Sequence, residues 1–114
     1  MSASVYKDNS TGSTALAASF AVPTGGTYRL VSVSCKFNVA PTTSENFTIT
    51  LDANAGSAYD VLLYTLDPSA ASTTDIFWQP DQYLVLEGGD AIDVAFANSD
   101  HKTYGAQITM ERVA

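Results

Sequence analysis

Positive charge is scarce in this chain: five Lys and Arg stand against twelve Asp and Glu in 114 residues, a net charge of -7. A phosphate backbone is held by a basic face, and five cations are too few to build one, so no nucleic-acid partner is expected. Cysteine occurs once, at Cys35, which excludes an intrachain disulfide and a zinc cluster. No apolar run reaches membrane-spanning length, so no membrane partner is expected. The opening MSASVYKDNSTGS lacks a charged-then-apolar leader pattern, so Sec export is not expected either. A Gly-x-Ser-x-Gly elbow, a Walker loop and zinc-spaced Cys/His pairs are all missing, and no cofactor is implied. Helical periodicity is missing too, since no stretch keeps it for three turns.

What the chain does have is Ser, Thr and Ala in quantity, with Val, Tyr and Phe, within a 46% hydrophobic composition. Thr, Val, Tyr and Phe suit a pleated, half-buried surface, and the hydrophobic fraction is enough for one folded domain. Residues 27–39 give the clearest strand. Val31, Val33, Cys35, Phe37 and Val39 share one phase, with Ser32, Ser34, Lys36 and Asn38 in the other. Tyr28 and Leu30 are apolar in the opposite phase, which predicts a bulge or face switch near Leu30.

Further strands are expected over 15–22, 45–53, 59–66, 74–78, 82–86, 91–97 and 103–112. The turns between them are marked by Pro23-Thr24-Gly25-Gly26, Asn54-Ala55-Gly56-Ser57 and Gly88-Gly89-Asp90. Residues 59–66 are apolar in both phases, the pattern of a strand covered on both faces. The predicted fold is all-β, an antiparallel jelly-roll-like β-sandwich of about eight strands. Residues 1–14 read as a polar N-terminal arm and 15–114 as a single sandwich domain. The expected core is Val31, Val33, Phe37, Phe47, Ile49, Leu51, Ile92, Val94, Phe96, Ile108 and Met110.

The run at 77–98, FWQPDQYLVLEGGDAIDVAFAN, contains Leu86-x-x-Gly89-x-x-Ile92-x-Val94-x-Phe96-x-Asn98 and is followed by a closing strand. It resembles the C-terminal half of jelly-roll sandwiches found in small tailed-bacteriophage virion proteins, both capsid decoration (cement) proteins and fibre tips. Tumour-necrosis-factor-like domains are similar as well. The resemblance implies a non-enzymatic virion structural protein that binds the outside of a phage shell and stabilises it. The implied partners are the major capsid protein and further copies of the chain, as a trimer or next a dimer. A carbohydrate- or receptor-binding domain of a tail fibre is the alternative. The resemblance brings no catalytic residues with it.

Some residue groups invite chemistry. Asp52-Ala53-Asn54-Ala55-Gly56 with Asp60 is similar to the start of a calcium loop, but Ser57 and Leu63 stand where such a loop needs Gly and an acid, so no metal is expected. Asp90 in its Gly-Gly-Asp turn and Asp93, which alternates out of the Ile92–Val94–Phe96 face, read as solvated carboxylates rather than an acid–base pair, and His101 beside Asp100 reads as a surface group of a polar loop. Cys35 has the inward phase of Val33 and Phe37 and reads as an inert core thiol. Trp78, Tyr83, Tyr59, Tyr64 and Tyr104 could make a sugar platform, but their phases scatter them. Tyr6 and Lys7 are the only aromatic and the only cation before Phe20, and are the partner-binding candidates.

Overall fold

The structure is a computed structural model that describes the backbone of residues 4–113 and the side chains of residues 9–113. Two antiparallel sheets stack into a sandwich. The first holds β1 (Ser4–Gly12), β9 (Tyr104–Arg112), β3 (Thr27–Phe37) and β6 (Asp75–Trp78) in that order, with β7 (Val85–Glu87) also on β3. The second is ordered β2 (Leu16–Ala21), β8 (Ala91–Phe96), β4 (Phe47–Asp52) and β5 (Val61–Leu66). Two interleaved Greek keys give this order, and it is the jelly roll expected from the sequence.

Nine strands fill eight lanes among the described residues. β6 pairs with β3 at Val33–Lys36 and β7 pairs with β3 at Thr27–Arg29, so the two are one lane broken in the middle. Pro80 lies in the break, and a proline has no N–H to give a ladder. The predicted irregularity near Leu30 is also there: the β3–β9 register shifts between Leu30 and Ser32. The extra residue carries the apolar phase from Tyr28 and Leu30 to Val33, Cys35 and Phe37, so all five side chains are buried.

The core is packed from both inner faces by Leu16, Leu30, Val33, Phe37, Phe47, Ile49, Leu86, Ile92, Val94, Phe96, Ile108 and Met110. Phe37 and Phe96 meet across the sandwich with ring centroids 5.3 Å apart. Two expected core residues fall short of burial. Val31 is the residue at the bulge and is half-buried, and Leu51 is half-buried near the end of β4. Val39 lies beyond the end of β3 and is exposed.

Two further expectations need correction. Residues 1–14 do not form an arm apart from the sandwich, because Ser4–Gly12 runs antiparallel to β9 over its full length, from Ser4 opposite Arg112 to Gly12 opposite Tyr104. Residues 59–66 are not covered on both sides: β5 is the edge of its sheet, and Tyr59, Val61 and Leu62 are exposed. The 67–72 loop contains a one-turn helix, α1 (Pro68–Ala71), capped by the Asp67 carboxylate, which accepts from the N–H groups of Ser69 and Ala70.

Candidate interaction surfaces

Glu45, Asp60, Asp67, Asp90 and Asp100 accept hydrogen bonds from the connections between strands. The Asp100 carboxylate accepts the N–H groups of Thr42 and Thr43, each at 2.8 Å, and the Thr43 hydroxyl at 2.6 Å. These bonds, with the Thr43 hydroxyl foremost, lower its pKa from 3.8 to about 2. Glu45 accepts from the N–H and hydroxyl of Ser99, and Asp67 from the Ser44 hydroxyl. Beside them Asn98, buried and left-handed at φ 53°, donates to the carbonyls of Thr14 and Lys102, each at 2.9 Å. One end of the sandwich is therefore cross-braced through four connections.

At the other end, Asp60 accepts the Ala53 N–H at 2.8 Å. Asp90 accepts Asn54 N–H at 2.9 Å and Glu87 N–H at 3.0 Å. In the calcium-like loop, Asp60 thus accepts from the loop's own backbone, and the loop's Asn54 N–H donates to Asp90 of the neighbouring turn. No cluster of three or more His, Cys, Asp or Glu that could hold a metal ion occurs among the described residues. Asp93 accepts the Ser19 hydroxyl at 2.6 Å and does not meet Asp90 in a shared site. His101 is exposed, its Nδ1 3.2 Å from the Ser13 carbonyl oxygen, while Asp100 turns to Thr42 and Thr43. Cys35 is buried, and burial pushes its thiol up to about 12, so it stays protonated and inert at neutral pH.

The aromatics do not gather into one platform. Tyr104 is buried, Trp78 stacks on Tyr64 with centroids 5.8 Å apart, Tyr59 is exposed beside β5, and Tyr83 lies under Arg29 at 5.3 Å. Tyr6 and Lys7 align with Met110 and Thr109 in the β1–β9 ladder. Their side chains lie outside the described residues.

Two surfaces remain. The outer face of the first sheet has a shallow depression of about 480 Å³, lined among others by Thr11, Ser34, Lys36, Phe77, Gly105 and Gln107. It exists because Gly105 leaves a gap between Thr11 on β1 and Lys36 on β3, its partners in register. Arg29, Lys36 and Arg112 all belong to this sheet, and Arg29 is tied to Glu111 at 2.6 Å. The second sheet has no Lys or Arg in any strand. Its outward positions Ala17, Ser19, Thr48, Thr50, Asp93 and Ala95 are small or short, and at its β5 edge stand Val61 and Leu62.

No protein-family model matches the chain, and no curated protein does. Solved structures do match by shape. A chain of the acidic stable capsid structure of Helicobacter pylori bacteriophage KHP30 is similar over 95% of this chain and 94% of its own, with a TM-score of 0.50 and 16% identity. The likeness is one of fold. It spans nearly the whole of both chains.

Proposed function

We propose that this chain is a non-enzymatic structural component of a bacteriophage virion, and that it acts as a decoration protein on the outside of the shell. The observation that carries the proposal is the near end-to-end fold likeness to a chain of a phage capsid structure. The molecule suits the role. A sandwich with loops braced by its own carboxylates offers, on the second sheet, an outer face of short side chains, which lose little conformational entropy when covered. Bound across neighbouring shell subunits, it would add contacts that must break before the shell opens, and its binding free energy would add to shell stability by linkage. Further copies of the chain, as a trimer or a dimer, would occupy equivalent positions by closed symmetry.

The test compares particles made with and without the protein, heated or treated with chelator while genome release is followed. Decorated particles are expected to release at the higher temperature. Equal release, with the protein located at the tail and binding glycans on an array, would replace the decoration role with the tail-fibre receptor-binding alternative.

A further inference from the structure

The sequence of β5, Val61-Leu62-Leu63-Tyr64-Thr65-Leu66, is that of a strand covered on both faces, yet it forms the uncovered edge of the second sheet. Leu62, opposite the outward Thr50, is 57% exposed, and Val61 and Tyr59 next to it at the open edge are 48% and 64% exposed, whereas the outward positions of β2, β4 and β8 are Ala, Ser, Thr and Asp. Edge strands are usually protected by Lys, by Pro or by a bulge. β5 has neither Lys nor Pro, and its bulge at Leu63 leaves Tyr64–Leu66 in regular register with β4. Beyond it no strand supplies partners for the outer row of main-chain N–H and C=O groups among the described residues.

The charge around this edge is of one sign. Residues 37–101 contain ten of the twelve acids and no Lys or Arg, and Asp52, Asp60 and Asp67 flank β5. A second copy would be a poor occupant. It would bring a net charge of -7, its Arg29 already engages Glu111, and its Lys36 stands opposite Asp75 in the β3–β6 register.

We propose that the β5 edge, with Tyr59, Val61 and Leu62, docks an extended apolar segment of a different polypeptide whose flanks carry Lys or Arg. The segment adds to the sheet along β5, its apolar side chains cover Val61 and Leu62, and its cations meet Asp60 and Asp67. The proposal does not depend on a virion role, and its test needs no particles.

Trp78 is the only tryptophan and stacks on Tyr64 of β5, so it reports on this edge by fluorescence. Two synthetic peptides with the same alternating Val/Thr centre, one flanked by Lys pairs and one by Glu pairs, are titrated into the full chain. Trp78 emission and the backbone amide shifts of 61–66 are followed. The Lys-flanked peptide is expected to move both, and to bind about tenfold more weakly in high salt than in low. Leu62→Lys should weaken it by about tenfold or more, and Leu62→Thr by less, with both variants melting as the parent does. The proposal is overturned if the two peptides act alike, if neither acts at millimolar concentration, or if the shifts map to the first sheet. It is also overturned if sedimentation shows an oligomer that Leu62→Lys dissolves, because a second copy would then cover β5.

Discussion

Asp100 ties the 38–46 connection to the 97–103 connection through one carboxylate, and this gives stability a definite pH dependence. Its folded pKa, about 2, is below its ordinary 3.8. The bonds therefore stabilise the fold fully above 3.8, and that contribution is lost as pH falls through the window down to about 2. Asp100→Asn is expected to lower the denaturation midpoint at neutral pH and to flatten the acid limb, as read by urea melts across that window. Gly89 is a second sensitive position. It sits at φ 92°, and a Cβ there would be 2.4 Å from the Asn54 side chain. Gly89→Ala is expected to cost about 1–3 kcal/mol, measured by chemical denaturation. Phe96→Ala, which removes one ring of the Phe37 pair, should cost about 3–5 kcal/mol by the same measurement. Cys35 should resist alkylation until the chain unfolds.

Among single residues, the core was legible wherever alternation was clean, as at Phe47, Ile49, Ile92 and Val94. Asn98 was not. Its task depends on the carbonyls of Thr14 and Lys102, one of them 84 positions away, and the only local sign was an Asn in a polar turn, where a left-handed backbone is tolerated.

At the scale of the element, β3 and β1 mark the two limits. β3 declares itself because its apolar residues alternate and change phase once, which located the bulge. β1, reading SVYKDNSTG, carries no such stripe, and it is formed by ladder pairing with β9. Pairing with a strand a hundred residues away leaves no local trace in sequence. Deleting residues 1–12 should therefore do more than remove an appendage. It would expose the whole edge of β9, and a lower melting temperature with increased self-association is expected. A truncated chain that melts unchanged would mean that β1 contributes little to the sandwich. β5 misled in the opposite direction: a doubly apolar pattern predicts cover on both faces, but the single chain supplies it on one.

For the whole molecule, the fold class followed from composition, strand number and turn signals, whereas the partner depends on surfaces that sequence alone does not assemble. The cations lie up to 105 positions apart in sequence, yet Arg29, Lys36 and Arg112 share one sheet and leave the other without any. If the proposed decoration role holds and the contact uses the second sheet, which has no Lys or Arg, occupancy of particles should fall as ionic strength rises, whereas a wholly apolar contact would leave it unchanged.

The β1–β9 register also sets how the molecule responds to force. Ser4 lies directly opposite Arg112, so tension applied to residues near the two termini opens that ladder one pair at a time, as a zipper opens. Tension applied along β3, in the middle of its sheet, must instead shear several rungs on both flanks together. The sandwich is thus soft when its two ends are pulled apart and stiff when tension runs along its central strand.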